Sequence, residues 1–273
     1  MKHIHSYYSP NDLYNRIIEG LNEIGKDLSK VTLDDLQPVD EFHIRGDIAT
    51  KELIKLSAFT PDMHILDVGC GVGGSTRRLS HEAGCRVTGI DLSDQYIDAA
   101  ERLTQLLNMQ ERVKFHVASA LELPFEDNTF DGAWSIQMNM NIEDKLSWLK
   151  EVYRVLKPGR PVVLYEVCGH KNTPVYFPVP WAQDSSMSFL LPPESFRNVI
   201  TSAGFDIDVW NDKTDLAQQA FSHMTEPKGE PNLPELGVHL LVGNDIQTKA
   251  YNLHRNLDGE RVSLIETVAT KPD

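Results

Sequence analysis

Hydrophobic positions along the chain change their spacing near residue 63. Before that point, leucine and isoleucine recur at helical intervals, and the pattern predicts helices over 10–29 and 47–58 with a loop over 31–46 between them. After it, short apolar runs alternate with amphipathic stretches. The chain therefore begins with helices and continues as an alternation of strands and helices.

The apolar runs after residue 63 predict seven buried strands. They cover residues 64–68, 86–91, 113–117, 130–135, 161–167, 205–210 and 261–269. Helices are predicted between them over 75–82, 93–107, 145–155, 194–203 and 245–257. This alternation is typical of an α/β fold with a doubly wound, mostly parallel sheet and helices on both faces.

Two regions interrupt the alternation. Residues 1–60 precede the first strand and are predicted to form an N-terminal helical cap that belongs to the same domain as residues 61–273. Segments around 170–193 and 212–244 do not fit the strand–helix pattern, and the first of them is rich in proline. We interpret both as lid segments over the carboxyl ends of the strands, where ligands bind in folds of this class.

The composition excludes several classes of protein. Of the 273 residues, 41% are hydrophobic and 24% are charged, which is ordinary for a globular domain. Lys and Arg number 26 against 40 Asp and Glu, so the net charge is −14. Nucleic-acid binding, which needs a basic surface, is therefore not expected. Three scattered cysteines do not make a disulfide scaffold.

The sequence also leads to expectations about the location and the partners of the protein. No apolar run approaches the roughly 20 residues of a membrane span, and the first residues lack the apolar core of a signal peptide. We expect a cytoplasmic protein, a monomer or homodimer, that acts on a small molecule. No HExxH or CxxC pattern predicts a metal site.

The most informative segment follows the first predicted strand. Gly69, Gly71, Gly73 and Gly74 form a turn that opens a helix, and their lack of side chains lets a ligand approach closely. Their spacing contains the dinucleotide fingerprint, which is a weak signal when taken alone. Asp91 ends the second strand, where a carboxylate can accept both hydroxyls of a ribose. The segment therefore predicts a site for an adenosine-containing ligand.

The negative charge of Asp67 distinguishes between the ligands that the loop could bind. It stands two residues before Gly69, at the mouth of the loop. A carboxylate there repels a pyrophosphate and attracts a sulfonium cofactor that carries an ammonium group. The charge favours an adenosyl sulfonium over a nicotinamide dinucleotide, and an NAD-dependent oxidoreductase is the competing enzyme class.

Four ordered motifs carry a family resemblance. The stretches LDVGCGVGG, GIDLS, LPFEDNTFD and RVLKPGR resemble the class I S-adenosylmethionine-dependent methyltransferases. The likeness is strongest to the small-molecule group that includes the ubiquinone/menaquinone and sarcosine/dimethylglycine methyltransferases, and it covers residues 45–210. It implies a seven-stranded sheet with an antiparallel last strand, S-adenosyl-L-methionine as cofactor, and methyl transfer by in-line displacement.

The resemblance also implies where the cofactor binds. The cofactor-binding residues would be Asp67, Gly69, Cys70, Gly71, Gly73, Asp91, Leu92, Ser119, Ala120, Leu121 and Gln137. Ser119 departs from the pattern, because many relatives have an Asp there that accepts a hydrogen bond from the adenine amino group. We expect Cys70 to be a small buried side chain rather than a reactive thiol.

Candidate residues for the methyl acceptor lie in the segments that break the α/β alternation. We predict His43, in the acidic loop 40–43, and Asn139 as catalytic residues. The predicted substrate-binding residues are Tyr7, Tyr8, Met138, Asn141, Phe177 and Trp181. Aromatic side chains in the proline-rich segment could cage a cationic amine, so the sequence favours a nitrogen acceptor. The alternatives are oxygen or carbon methylation of a quinone-like or natural-product substrate, and a non-catalytic module that binds the adenosyl cofactor.

Overall fold

Seven strands of the chain form one sheet. The computed structural model describes residues 12–170 and 173–273, so that Tyr7 and Tyr8 lie outside the described residues. The strands are β1 (His64–Val68), β2 (Arg86–Asp91), β3 (Val113–Val117), β4 (Gly132–Ile136), β5 (Pro161–Gly169), β6 (Asp206–Asp212) and β7 (Val262–Thr270).

The strands lie in the order β3-β2-β1-β4-β5-β7-β6. β1 pairs with β2, β2 with β3 and β4 with β5 in parallel, whereas β7 is antiparallel to both β5 and β6. β1, β4, β5 and β7 are almost entirely buried, as strands covered on both faces are. The predicted doubly wound sheet with an antiparallel last strand is confirmed.

Helices precede and connect the strands. They are α1 (Leu13–Glu23), α2 (Leu33–Asp40), α3 (Gly46–Ser57), α4 (Gly74–Ala83), α5 (Asp94–Leu106), α6 (Lys145–Val155), α7 (Pro193–Ser202), α8 (Thr214–Phe221), α9 (His239–Val242) and α10 (Ile246–Asp258). Short 3-10 turns cover Leu28–Lys30, Asn139–Asn141 and Ser185–Met187. In the described part of the chain, no helix has the length and apolar character that crossing a membrane requires.

The chain divides into two compact units. The first comprises residues 12–119 and Gly229–Ile246, and the second comprises Ala120–Lys228 and Gln247–Asp273. In the first unit, α1, α2, α5 and α9 share one buried hydrophobic cluster, whose members include Leu13, Ile17, Leu36, Leu103 and Leu241. In the second unit, β7 lies between β5 and β6, and Trp134, Trp148 and Tyr165 are fully buried.

The structure corrects the predicted loop over 31–46, because part of it forms helix α2. Thr32 is the N-cap: its hydroxyl accepts from the Asp35 amide, and its own amide donates to the Asp35 carboxylate at 2.9 Å. This capping box satisfies two of the free amides at the start of the helix. Pro38, which removes one helical hydrogen bond, lies inside the helix. The capping box and the apolar face of α2 outweigh that loss.

Other predicted boundaries also move. The helix predicted over 10–29 ends at Glu23, and Gly25 follows with a positive φ of 77°. β4 begins at Gly132, because Phe130 makes only an isolated bridge with Leu156. The segment predicted as a lid over 212–244 contains α8 and α9. The division of the domain at residue 60 stays a prediction.

The capping box of α2 can be tested by removing its hydroxyl. We expect Thr32→Ala to lower the free energy of unfolding by about 1 kcal/mol, the usual effect of losing an N-cap. Thr32→Ser keeps the hydroxyl and is the matched control, with a change within a few tenths of a kcal/mol. Urea unfolding of the three proteins measures the difference, and equal losses in both variants would contradict the capping role.

Candidate functional site

The glycine loop, residues 69–74, is held by backbone hydrogen bonds to the neighbouring strand. The amides of Gly69 and Cys70 both donate to the carbonyl of Ile90 at 2.9 Å. Gly71 and Gly73 have φ values of 55° and 79°, a region that favours glycine. A Cβ added at Gly71 would meet no atom within 4 Å, so the loop borders open space there. A ligand can therefore approach the backbone closely.

Asp91 ends β2 and holds this loop from the side. Its Oδ2 accepts from the Gly71 amide at 3.0 Å, and its Oδ1 accepts from the Ser93 amide at 2.9 Å. A carboxylate has about four acceptor positions, so each oxygen can still accept from a ligand hydroxyl. Leu92, the next residue, is half-buried. The predicted ribose site thus has its carboxylate fixed in place.

Asp67 lies one residue before the end of β1 and is only 1% exposed. Its Oδ2 accepts from the Thr76 hydroxyl at 2.6 Å and from the Ser75 hydroxyl at 3.3 Å. Both hydroxyls come from the first turn of α4. They orient the carboxyl group and are themselves uncharged.

Cys70 is the buried side chain that the sequence predicted. Burial raises the pKa of its thiol well above the ordinary value, and the charges of Asp67 and Asp91 raise it further while Arg77 opposes them. The thiol therefore stays protonated and is a poor nucleophile.

His43 lies in a buried polar cluster in the first unit. Its Nε2 lies 3.0 Å from the Gly46 carbonyl oxygen and 3.1 Å from the Thr50 hydroxyl, which donates to Glu41 at 2.7 Å. Burial lowers the pKa of His43 to about 4 and raises the pKa of Glu41 to about 7. The His43 ring is therefore neutral near pH 7, and its predicted catalytic role stays a prediction.

In the second unit, the chain turns sharply after β4. Gln137 has a φ of 51°, a left-handed conformation that is unfavourable for a residue with a side chain. Its amide donates to the Tyr165 carbonyl at 2.8 Å, which holds the turn against β5. Strained backbone of this kind is concentrated at functional sites. Met138, which follows, is half-buried.

Glu166 of β5 holds that turn through three hydrogen bonds. Its Oε2 accepts from the amides of Met138 and Asn139, both at 3.0 Å, and its Oε1 accepts from the Ser135 hydroxyl at 2.9 Å. Burial raises the pKa of Glu166 to about 8. The sequence analysis missed this residue, although a carboxylate inside the apolar run of β5 was a usable signal.

Lys145 is a second residue that the sequence analysis missed. Its ammonium donates to the carbonyls of Asn139 at 3.0 Å, Ile142 at 2.5 Å and Phe189 at 2.6 Å. Burial lowers its pKa to about 8, and the charge of Glu166 opposes that shift. The lysine thus joins the turn after β4 to the segment 173–192.

Asn139 is buried, and only one of the two polar atoms of its side-chain amide has a hydrogen-bond partner among the described residues. Its Nδ2 donates to the Val167 carbonyl at 2.7 Å. Its Oδ1 has no hydrogen-bond partner among the described residues. A buried acceptor in this state usually has a water or ligand as its partner. The predicted catalytic residue therefore presents an acceptor atom, held rigidly by its own Nδ2.

The segment 173–192 is fixed to the second unit rather than loose. Asn141 donates to the carbonyls of Trp181 and Met187, both at 3.0 Å. From α10, Asn252 donates to the Pro178 carbonyl and Asn256 to the Tyr176 carbonyl, again at 3.0 Å. The segment predicted as a lid is thus held from two sides.

Two predicted substrate-binding residues lie in the segment 173–192. Trp181 is only 2% exposed, and its indole N–H donates to the Ser188 hydroxyl at 2.9 Å. Phe177 is half-buried. Of the predicted residues flanking the adenine, Ser119 belongs to the first unit, whereas Ala120 and Leu121 belong to the second.

Comparison with known proteins identifies relatives. Residues 66–164 match a family described as a methyltransferase domain. The chain is 32% identical to the O-methyltransferase cnsE of Penicillium expansum over 199 residues, which cover 72% of this chain and 71% of that protein. It is 30% identical to the O-methyltransferase resE of Aspergillus sclerotiorum over 170 residues, 61% of this chain and 63% of that protein.

Other matches are shorter or purely structural. The chain spans less than two thirds of resE. An N-methyltransferase of Rauvolfia serpentina and a C-24-methyltransferase of Oryza sativa match 40% of this chain. A geranyl diphosphate methyltransferase, solved with its substrate and sinefungin, superposes with a TM-score of 0.69 at 17% identity, covering 99% of this chain and 98% of that one. At this identity the likeness establishes the fold.

The burial of the Glu166 carboxyl group makes stability depend on pH. Its pKa lies above the ordinary 4.5, at about 8, so between these values the folded state holds a proton that the unfolded state has released. Its contribution therefore favours folding at low pH and is lost as pH rises toward 8. In Glu166→Gln, the amide oxygen can accept from both backbone amides and the NH2 can donate to Ser135.

We expect wild type to lose a few kcal/mol of unfolding free energy relative to Glu166→Gln between pH 5 and pH 8. Urea unfolding at both pH values measures this difference. Glu111→Gln, at an exposed position, is the control and should follow wild type. A constant gap between wild type and Glu166→Gln would show that Glu166 does not titrate in this range.

Proposed function

The chain belongs to the class I S-adenosylmethionine-dependent methyltransferases, and on that basis we propose that it transfers a methyl group from S-adenosylmethionine to a small organic molecule. One observation carries the proposal. An open glycine turn at Gly71 follows Asp67 in the chain and is bonded to Asp91, and hydrogen bonds orient both carboxyl groups. This arrangement suits a ligand that combines a ribose with positive charge.

The residues of the loop fit the cofactor by shape and by charge. Asp91 would accept from the ribose hydroxyls, and its fixed orientation avoids an ordering cost on binding. Asp67 would face the ammonium and sulfonium end, where its charge attracts. Gly69, Gly71 and Gly73 would let the cofactor lie against the backbone.

The reaction requires little covalent chemistry from the protein itself. Bound S-adenosylmethionine supplies both the methyl electrophile and its leaving group. The protein's residues must align the acceptor, exclude water and leave a lone pair on the attacking atom. In our proposal, Asn139 Oδ1 accepts a hydrogen bond from the acceptor's O–H or N–H and orients it. The methyl–sulfur bond breaks as the new bond to the acceptor forms, S-adenosylhomocysteine leaves, and the acceptor's proton is released to solvent. Glu166 and Lys145 hold the turn that carries Asn139.

We propose a hydroxyl group as the methyl acceptor. The two relatives with the longest matches described above are named O-methyltransferases, which supports oxygen over nitrogen or carbon. A hydroxyl also gives Asn139 Oδ1 the donor that it lacks. The predicted amine acceptor depends on an aromatic cage, and Trp181 in the present arrangement is buried with its indole N–H engaged. The amine therefore stands second.

The reaction can be tested on the purified chain with S-adenosylmethionine and a panel of phenols and of primary and secondary amines. We expect formation of S-adenosylhomocysteine with phenols, and methyl ethers by mass spectrometry. Methylated amines alone would support the second candidate. Cofactor binding without turnover on any member would support a non-catalytic binding module. A chain that binds neither form of the cofactor would overturn the proposal.

Asp91 gives a direct test of the cofactor site. We expect Asp91→Asn to weaken S-adenosylmethionine binding roughly tenfold to hundredfold, since hydrogen bonds to a charged group contribute about 1.5–3 kcal/mol. Asp98→Asn removes the same charge from an exposed position on α5 and is the control, with unchanged affinity. Isothermal titration calorimetry gives both constants. Wild-type affinity in Asp91→Asn would remove Asp91 from the site.

A further inference from the structure

A positive charge lies buried beneath the glycine loop. Arg77 of α4 is fully buried, and its guanidinium donates to the Asp40 carboxylate at 2.7 Å, with weaker contacts to the Ala100 carbonyl and the Thr104 hydroxyl, both at 3.3 Å. In the described part of the chain, Asp40 is the one carboxylate within ion-pair distance of Arg77. A guanidinium does not lose its proton in proteins, so Asp40 is the ion-pair partner of a permanent charge.

The guanidinium is close enough to affect the loop. A Cβ added at Gly73 would lie 2.8 Å from an Arg77 nitrogen, so this side chain forms the floor of the loop at that point. A Cβ added at Gly74 would overlap Asp40 itself. The pKa of the Cys70 thiol responds to Arg77 as well as to Asp67 and Asp91. Two carboxylates and one guanidinium therefore act on the loop, and Asp40 pairs with the guanidinium.

This balance of charge distinguishes the two forms of the cofactor. S-adenosylmethionine carries one positive charge more than S-adenosylhomocysteine, and the two differ in no other way except the methyl group. Negative charge around the loop favours the sulfonium form, and an unbalanced guanidinium beneath it opposes that form. The neutral thioether is affected far less, because it carries no net charge.

We propose that Asp40, by neutralising Arg77 beneath the glycine loop, determines how strongly the protein prefers S-adenosylmethionine over S-adenosylhomocysteine. This inference rests on the proposed function, since it concerns the same cofactor site. Asp40 acts through Arg77 and does not need to touch the cofactor. Its role is that of a counter-ion. By setting this preference, it favours the replacement of S-adenosylhomocysteine by S-adenosylmethionine at the loop.

A purely structural role for the pair predicts a different result. Burial raises the pKa of Asp40, and Arg77 opposes that shift, so each charge depends on the other for its place in the core. Breaking such a pair destabilises a protein whatever it binds. A structural defect would weaken both forms of the cofactor alike. Only an electrostatic role changes the ratio of their dissociation constants.

The test is calorimetric titration of the full chain with each form of the cofactor. In Asp40→Asn, we expect the affinity for S-adenosylmethionine to fall roughly tenfold more than that for S-adenosylhomocysteine. Tenfold is about 1.4 kcal/mol, a modest energy for the interaction of two unit charges in a protein interior. Equal losses for both forms would overturn the inference. Wild type that binds neither form would instead overturn the proposed function.

Matched variants separate charge from packing. Asp34→Asn removes an ion-pair carboxylate from the same helix, but Asp34 is exposed and its partner Arg78 keeps Glu82 nearby, so the ratio should not change. Asp40→Asn combined with Arg77→Gln removes both charges and should restore the wild-type ratio. A double variant that keeps the ratio of Asp40→Asn would contradict the proposal.

A further pair of variants covers the case in which Asp40→Asn does not fold. In the Asp40→Asn background, Arg77→Gln and Arg77→Lys both lose the guanidinium fork and differ by one charge. At pH 6, we expect the lysine variant to disfavour S-adenosylmethionine relative to the glutamine variant. Equal ratios in these two proteins would also overturn the inference.

Discussion

The glycine loop has only two side chains, those of Cys70 and Val72, with which to hold its own shape. At residues 69–74 the shape comes from the surrounding structure: the Ile90 carbonyl receives two amides, Asp91 receives a third, and Arg77 with Asp40 fills the space beneath. Each of these supports is polar or charged, and each comes from another part of the chain. In the first unit, β1, β2, α2 and α4 are arranged so that these groups support the loop.

In the second unit, a turn is also held in shape by other parts of the chain, but by different groups. The turn after β4 has ordinary side chains, but its backbone is strained at Gln137 and its amides point inward. Glu166 accepts those amides and Lys145 donates to the carbonyls, so a carboxyl group and an ammonium group hold opposite ends of the peptide units. Burying this pair has a desolvation cost, which appears as their shifted pKa values. In return, Asn139 is held in one orientation.

The sequence was most informative where chemistry depends on residues close together in the chain. The glycine spacing, Asp67 and Asp91 could be predicted because a strand, a turn and a helix in sequence bring them to one edge. The partners of Arg77 and Glu166 could not, since Asp40 is 37 residues away from Arg77 and Ser135 is 31 away from Glu166. The state of His43 likewise depends on its burial beside Thr50 and Gly46. Helix α2 was missed, although Thr32 and Asp35 of its capping box lie three residues apart in the sequence.

The anchoring of the segment 173–192 has a consequence for the diversification of this scaffold. Four side chains donate hydrogen bonds to main-chain carbonyls of the segment, namely those of Asn141, Lys145, Asn252 and Asn256. Since every residue has a carbonyl, side chains along the segment can be exchanged without removing these anchors. The frame of the segment thus stays constant under point substitution, so its proposed acceptor contacts can be exchanged one at a time.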